Sequence, residues 1–168
     1  MRGKQRDPML SYAFLFDRDA SKAASLFPKK RTKTLADIGL SESAADSKIV
    51  REAWRGGFTI VTCNGDDFVK HFEKFLCQTK KAECHEMYGL VVLPNGYELQ
   101  KRALRDIETR LKLGREKITW ADVADRNCYV RVKRSGGVEI RRFRRCFYCL
   151  KNKKVGTQLC VRLERRRN

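Results

Sequence analysis

The strongest constraint on the fold of this chain is a regular alternation between short apolar runs and stretches whose apolar residues recur at helical spacing. The short runs predict strands, and the recurrence at i, i+3 and i+4 predicts amphipathic helices. Each helix would carry the chain across to the next strand, which places the strands parallel to one another in a single sheet. Up to residue 116 the predicted order is βαβαβαβα. This order indicates an α/β fold with helices on both faces of a mainly parallel sheet.

Four strands are predicted in this region, at residues 12–16, 34–38, 58–63 and 88–93, and the second is the weakest. Turn-forming residues bound the helices, because Pro28 ends the first, Gly56 and Gly57 end the second and Gly114 ends the fourth. The helical stripes are Ala20, Ala23, Ala24 and Phe27; Ile49, Val50, Ala53 and Trp54; Phe68, Val69, Phe72, Phe75 and Leu76; and Ala103, Leu104, Ile107 and Leu111.

The pattern changes after residue 116. Residues 129–133 and 138–143 flank a Ser-Gly-Gly turn, which predicts a β-hairpin, and a last short strand is predicted at residues 159–163. Residues 117–168 contain 16 Lys and Arg against 4 acids, so +12 of the net charge of +18 lies in this third of the chain. We therefore expect residues 1–116 to form an α/β domain and residues 117–168 to form a basic, β-rich extension.

The net charge of +18 favours a polyanionic partner. Nucleic acid is the leading candidate, with RNA expected and DNA as the alternative. A membrane partner is not expected, because no uninterrupted apolar stretch approaches the ~18 residues of a spanning helix. The N-terminal MRGKQRDP is charged and lacks the apolar core of a signal peptide, which favours a cytoplasmic location.

Carboxylates follow two of the predicted buried strands. Asp17 comes directly after the run YAFLF, and Asp66 and Asp67 come shortly after FTIVTC. In an open parallel sheet the carboxyl ends of the strands outline the ligand crevice, so acids from separate strands can meet there. Clustered acids in a strongly basic chain indicate a metal-dependent nuclease.

The segments FLFDRDA, GLSESAADSKIVREAWRGG and FTIVTCNGDDF together resemble the PIN-like ribonuclease domains, a family that includes the VapC-type toxins. The resemblance spans roughly residues 12–93. It implies a compact α/β nuclease that cleaves RNA with Mg²⁺ or Mn²⁺, with Asp17, Asp46 and Asp67 as the catalytic, metal-binding acids. A toxin role would imply an antitoxin, and another protein partner or a homo-oligomer also stays open.

The chain departs from the family pattern at TCNGDDF, residues 62–68. Many relatives have two acids in a Thr-x-Asp-x-Asp-Phe run, whereas this run is one residue longer and has Asn64 in place of the first acid. Asn64 offers an oxygen without a charge and Asp66 is a substitute for the missing acid, so we expect both to be secondary metal contacts. Thr62 could position a phosphate or form a hydrogen bond with a ligating acid, but the interpretation as a strand former is favoured. The alternative function is a non-catalytic nucleic-acid-binding module or a ribonucleoprotein partner.

Each acid also has a local structural interpretation. Asp46 lies three residues after a serine, so the two could form a capping box. Asp66 and Asp67 could be N-cap residues of the third helix. Capping the first helix is favoured over metal binding for Asp19. Asp17 has the weakest local interpretation, because an acid that ends so apolar a strand has little structural work to do.

A basic run with interleaved aromatic residues suits a surface that holds phosphates while unpaired bases stack on it. The alternative is a half-buried strand with solvated charges, but the density of charge favours nucleic acid. The residues predicted to bind nucleic acid are Arg141, Arg142, Arg144, Arg145, Phe147 and Tyr148.

Zinc is a second metal to consider in this region, because Cys146 and Cys149 form a C-x-x-C pair and Cys160 follows. Structural zinc usually takes four nitrogen or sulfur ligands, and Cys128 or an upstream Cys-His pair could supply the fourth. A zinc-free hairpin with buried thiols explains the spacing equally well, so zinc is not assigned.

Overall fold

The fold is described from a computed structural model, which covers residues 13–78, 89–113, 123, 128–133, 135–145 and 161–163. The strands are β1 (Ala13–Phe16), β2 (Thr32–Thr34), β3 (Phe58–Thr62), β4 (Leu90–Val92), β5 (Cys128–Val132), β6 (Val138–Arg145) and β7 (Val161–Leu163). The α-helices are α1 (Asp46–Gly56), α2 (Gly65–Gln78) and α3 (Tyr97–Leu113). Three 3₁₀ helices span Arg18–Leu26, Lys29–Arg31 and Ala36–Ile38.

The strands form a sheet in the order β2-β1-β3-β4-β5-β6-β7. Every neighbouring pair from β2 to β5 is parallel, and β6 and β7 are antiparallel additions at one side. The predicted α/β class with a mainly parallel sheet is confirmed. The register aligns Phe16 of β1 with Val61 of β3, so these two neighbours end at the same edge of the sheet.

Helices cover both faces of the sheet, because successive strand residues point to opposite sides. On one face α1 and α2 pack on β1, β3 and β4, and on the other the first 3₁₀ helix and α3 do so. None of the helices in the described ranges combines the length and the apolarity needed to cross a membrane. The first face buries Leu15, Ile49, Val50, Ile60, Phe68 and Phe72, and the second buries Phe14, Phe16, Ala20, Ala23, Val61 and Ile107.

The second strand differs from its prediction, since β2 ends at Thr34 and a 3₁₀ turn occupies Ala36–Ile38. The Asp37 carboxylate accepts hydrogen bonds from the Thr34 N–H at 2.7 Å and from the Thr34 hydroxyl at 2.9 Å, which turns the chain away from the sheet. The first helix is 3₁₀ rather than α. A repeat of three residues per turn places Ala20 and Ala23 on the same face, and both are fully buried.

The predicted hairpin is confirmed, because β5 and β6 pair antiparallel around a turn in which Gly136 has a φ of 88°. The predicted last strand is present as β7. Strand β5 also pairs in parallel with β4, and Val123 and Val130 belong to the core on the α3 side. The sheet and its core therefore continue past residue 116.

Candidate acidic site at the carboxyl edge of the sheet

The predicted site residues lie where the strand order reverses. Strand β2 lies on one side of β1 in the sheet, and the next strand of the chain, β3, lies on the other side of β1. Ligand crevices in open α/β sheets form at this kind of switch point, outside the carboxyl ends of the strands. Asp17 directly follows β1, and Thr62 is the last residue of β3. The backbone N–H of Asp17 donates to the Val61 carbonyl at 3.0 Å, which holds the two strand ends together.

The Asp17 side chain is 7 % exposed, and both of its oxygens are bonded. Oδ1 accepts a hydrogen bond from the Arg18 N–H at 2.7 Å, and Oδ2 accepts one from the Thr62 hydroxyl at 3.0 Å. Asp17 is therefore the N-cap of the first 3₁₀ helix, and the prediction that Asp19 caps this helix is wrong. Asp19 lies in the first turn instead, at 3.5 Å from the Arg18 guanidinium. Asp17 has more structural work to do than its sequence position indicates.

Burial raises the pKa of Asp17 above its usual value. The hydrogen bonds from Thr62 and from the Arg18 N–H act in the opposite direction, and the charges of Asp19 and Asp46 raise the pKa further. Asp46 is 29 residues away along the chain, yet its carboxylate is close enough to Asp17 to shift this equilibrium. Asp17 and Asp46 are thus brought into the same neighbourhood.

Asp46 is the first residue of α1, and the capping-box interpretation of it is wrong. The N-cap residue is Ala45, which makes no side-chain cap, and the Ser43 hydroxyl bonds to Ser41 at 2.8 Å. In the part of the chain that the structure describes, the Asp46 carboxylate accepts no hydrogen bond. A carboxylate at a helix N-terminus is favoured by the helix dipole. Its oxygens remain available to a ligand of the crevice.

Thr62 connects Asp17 to the turn that follows β3. Its hydroxyl oxygen accepts a hydrogen bond from the Asn64 N–H at 3.0 Å, and the same hydroxyl donates a hydrogen bond to Oδ2 of Asp17. The Asn64 side-chain amide then donates to Oδ2 of Asp67 at 2.9 Å. The less favoured interpretation of Thr62, a hydrogen bond to an acid of the site, therefore describes a contact between residues 45 positions apart. The local signal for it was a threonine at the last position of the strand.

The pKa of Asp67 is shifted in the opposite direction to that of Asp17. The hydrogen bond from Asn64 lowers the pKa of Asp67, and the bond and charge of Lys70, whose ammonium lies 3.4 Å away, lower it further. Helix α2 begins at Gly65, so Asp66 and Asp67 lie in its first turn and neither is the N-cap, contrary to that structural interpretation. Asp67 therefore contributes a fixed negative charge.

Asp66 points toward β5. Its carboxylate is 73 % exposed and pairs with the Arg131 guanidinium at 3.0 Å. Gly65 allows the start of α2 to approach β4, because a Cβ at this position would lie 2.5 Å from Val92 Cγ2. The two consecutive acids therefore contact different neighbours, since Asp66 pairs with Arg131 and Asp67 bonds to Asn64.

Cys63 lies just past β3, next to the acids. Its thiol donates to the carbonyls of Asp19 at 3.4 Å and Pro94 at 3.6 Å, and the Gln100 amide donates to its sulfur at 3.4 Å. Burial raises the pKa of this thiol. The protonated form is therefore favoured, which suits a packing role better than a nucleophilic one.

No three His, Cys, Asp or Glu side chains among the described residues form a ready metal-binding group. This arrangement still fits Mg²⁺, which usually keeps several waters and takes only one or two protein carboxylates together with substrate phosphates. The available donors are all oxygens, which suits Mg²⁺ or Mn²⁺. They belong to Asp17, Asp46, Asn64 and Asp67.

The predicted nucleic-acid-binding run begins on β6, four strand positions from β1, or about 19 Å at the usual strand spacing. The Arg141 guanidinium pairs with Glu139 on the same strand. Arg142, Arg144 and Arg145 lie on β6, of which only the backbone is described there. The remaining predicted residues lie outside the described residues, and these are Phe147 and Tyr148 for nucleic acid and Cys146, Cys149 and Cys160 for zinc.

We use the name acidic crevice for the group formed by Asp17, Asp46, Thr62, Asn64 and Asp67. Two of its acids have opposite pKa shifts, because burial favours protonated Asp17 while hydrogen bonds favour ionised Asp67. Perturbed carboxyl groups in a cleft are concentrated at functional sites. Comparison of the chain with protein-family models, with curated proteins and with solved structures found no match.

Proposed function

We propose that this protein is a PIN-like, metal-dependent endoribonuclease, and that Asp17, Asp46 and Asp67 are its catalytic acids. The observation that carries the proposal is the buried Asp17 at the β1–β3 switch point, with Asp46 close enough to raise its pKa. A cation would offset both the burial of this carboxylate and its repulsion by Asp19 and Asp46, which supports a metal function.

Asp17 and Asp46 would hold the cation, and Asn64 and Asp67 would offer further oxygens. Bound Mg²⁺ or Mn²⁺ would activate water and stabilise the negative charge that develops on the phosphate. Thr62 fixes the orientation of the Asp17 carboxylate through its 3.0 Å hydrogen bond. Because the cation competes with a proton for Asp17, its affinity should increase with pH.

The basic surface would hold the RNA. The net charge of +18 attracts phosphates, and the C-terminal third carries most of the excess. The arginine run of β6 lies on the same sheet as the acidic crevice, and Arg131 of β5 lies between them. Single-stranded RNA is the proposed substrate, and DNA is the alternative. By the same resemblance, an antitoxin would be the natural protein partner.

A second function is favoured by one observation. The Asn64 amide already bonds to Asp67, and Arg131 already pairs with Asp66, so two of the acids have partners without any cation. A non-catalytic nucleic-acid-binding module, or a subunit of a ribonucleoprotein, would have these properties.

Cleavage of an end-labelled single-stranded RNA in Mg²⁺, Mn²⁺ or EDTA separates the two functions. We expect metal-dependent cleavage that falls at least ~100-fold in Asp17→Asn and in Asp46→Asn, a loss typical of removing one electrostatic contact to a transition state. Glu108→Gln on exposed α3 removes the same charge and should cleave normally. RNA that stays intact with both metals at high protein concentration would establish the non-catalytic function. Cleavage that survives both Asp variants would exclude the acidic crevice as the active site.

A further inference from the structure

A groove of about 530 Å³ opens at the carboxyl edge of the sheet, beside the acidic crevice. Its volume falls within the ~300–1,000 Å³ typical of pockets that hold small ligands. Its walls come from the end of β4, the beginning of α3, the end of β5 and the facing part of β6. None of the functions assigned above to the acidic crevice uses this groove.

The groove has one apolar wall and one basic wall. Pro94 and Leu99 line the first, and Leu99 is 55 % exposed although it is a large apolar residue. Arg131 and Lys133 line the second together with Glu139, whose carboxylate is paired with the Arg141 guanidinium. In the described part of the chain Lys133 is exposed and forms no ion pair, so its ammonium can accept an anion. An exposed apolar side chain facing an unpaired cation suits a ligand that has both a flat apolar face and a negative charge.

Two structural features place the groove next to the residues of the acidic crevice. Cys63 lines the groove, and it follows Thr62, whose hydroxyl is bonded to Asp17. Arg131 is paired with Asp66 in the first turn of α2. Strand β4 is two positions from β1, which corresponds to about 10 Å along the edge of the sheet. A nucleic acid strand that follows this edge would pass both sites.

We propose that the groove binds one unpaired nucleotide of the RNA substrate, near the phosphodiester held at the acidic crevice. The base would lie against Pro94 and Leu99, with its polar edge toward the Asn95 amide, and Lys133 and Arg131 would hold its phosphate. The base must be unpaired, because the faces of paired bases in a duplex are covered by their neighbours. This inference rests on the proposed nuclease function, and it adds a separate site for one unpaired base of the substrate.

The test is equilibrium binding of a fluorescein-labelled, ten-nucleotide single-stranded RNA in EDTA, measured by anisotropy. Lys133→Glu and Leu99→Ser should each weaken binding about fivefold or more. Arg110→Glu makes the same charge change on exposed α3, 11 residues and about 16 Å along the helix from Leu99, and should have less than half that effect. Leu99→Met retains the apolar wall and should bind normally. With the same RNA as a duplex, Leu99→Ser should bind like the wild type.

Equal weakening by Lys133→Glu and Arg110→Glu would overturn the proposal, since only general charge would then matter. Normal single-strand binding by Leu99→Ser, or an equal loss on duplex, would also overturn it. Both substituted side chains are exposed, so folding should be preserved, and circular dichroism checks this. The binding test contains no metal, so it measures binding in the groove independently of cleavage. Groove-dependent binding without cleavage contradicts only the nuclease, whereas cleavage without groove dependence contradicts only the groove.

Discussion

The hydroxyl group of Thr62 donates a 3.0 Å hydrogen bond to Oδ2 of Asp17 and accepts one from the Asn64 N–H at the same distance. A single hydroxyl thus joins the end of β3, the end of β1 and the turn that leads to Asp67. The Thr62 side chain is fully buried. The bond to Asp17 is therefore shielded from water, and losing a buried partner has a large cost.

Replacing Thr62 by valine should destabilise the protein. Thr62→Val keeps the shape and removes both hydrogen bonds, so we expect the free energy of unfolding at pH 8 to fall by about 1–3 kcal/mol. The pKa of Asp17 should rise further, because the Thr62 bond is the strongest influence that lowers it. Urea denaturation measures the first effect. Thr62→Ser keeps the hydroxyl and serves as the control, and equal stability of the valine and serine variants would contradict the role given to this bond.

Replacing Asp17 by asparagine should stabilise the protein while abolishing cleavage. The folded-state pKa is raised above 3.8, so the ionised carboxylate is disfavoured in the fold at every pH above that raised value. Asp17→Asn removes this cost and keeps one acceptor oxygen, and we expect a higher free energy of unfolding at pH 8. The gain should shrink as the pH falls through the raised pKa and wild-type Asp17 becomes protonated. Thermal unfolding of the wild type and of Asp17→Asn, from pH 8 to pH 4, measures this difference in stability.

Asp37→Asn provides a contrast of opposite sign. Hydrogen bonds from Thr34 lower the pKa of Asp37, so its stabilising contribution is complete above the usual 3.8 and is lost as pH falls through the lowered value. This variant should therefore be less stable than the wild type at pH 8. If both variants were destabilised at that pH, the burial cost assigned to Asp17 would be wrong.

Cation affinity should depend on pH through Asp17. The raised pKa means that a proton competes with Mn²⁺ above pH 3.8, where Asp67, with its lowered pKa, is already ionised. Affinity should therefore decrease as the pH falls through the Asp17 pKa, by about tenfold per pH unit below it. Calorimetric titration with Mn²⁺ measures the midpoint. Thr62→Val should move the midpoint to higher pH, and an unchanged midpoint would remove Asp17 from the cation site.

Adding an acid at position 64 should strengthen cation binding. In Asn64→Asp the amide that bonds to Asp67 at 2.9 Å becomes a second carboxylate, so the two charges repel in the absence of metal. We expect a lower melting temperature in EDTA, recovery with Mn²⁺ and about tenfold tighter Mn²⁺ binding. Asn64→Ala is the control, since it loses the hydrogen bond without adding charge. Equal melting curves for the Asp variant with and without Mn²⁺ would show that residue 64 lies outside the cation site.

Gly65 should not tolerate a larger side chain. A methyl group there would lie 2.5 Å from Val92 Cγ2, so Gly65→Ala should cost about 1–3 kcal/mol and displace the first turn of α2. Cleavage should fall as well, because that turn carries Asp67. The double variant Gly65→Ala/Val92→Ala should recover part of the lost stability. Gly137→Ala is the matched control, where the nearest atom is Lys133 Cδ at 4.0 Å.

The alternating pattern predicted the fold well, because strand and helix periodicities are local properties of the sequence. Strands β1, β3 and β4, the three α-helices and the hairpin follow from it. The predictions failed where the structure depends on a hydrogen-bond partner that is distant in sequence or that competes with strand pairing. Thr62 contacts an acid 45 residues away, and Asp37 ends β2 by bonding to Thr34.

The pairing of β5 with β4 was missed for a similar reason. A change in charge and pattern after residue 116 indicated a separate extension, but pairing between strands depends on backbone hydrogen bonds, which composition does not reveal. Asp19 was assigned the cap because it lies inside the helical stretch. Asp17 takes that role, since it is the residue that still has extended backbone, with φ of −67° and ψ of 158°.

The shortness of β2 affects how copies of this protein would behave when crowded. As the edge strand beside β1, it presents only three residues to solvent, one of them the exposed Lys33, and 3₁₀ helices adjoin it on either side in the chain. This edge offers a strand from another molecule few unpaired backbone N–H and C=O groups, and the positive charge of Lys33 lies among them. Copies of this basic protein could therefore crowd together without one sheet adding to another at this edge.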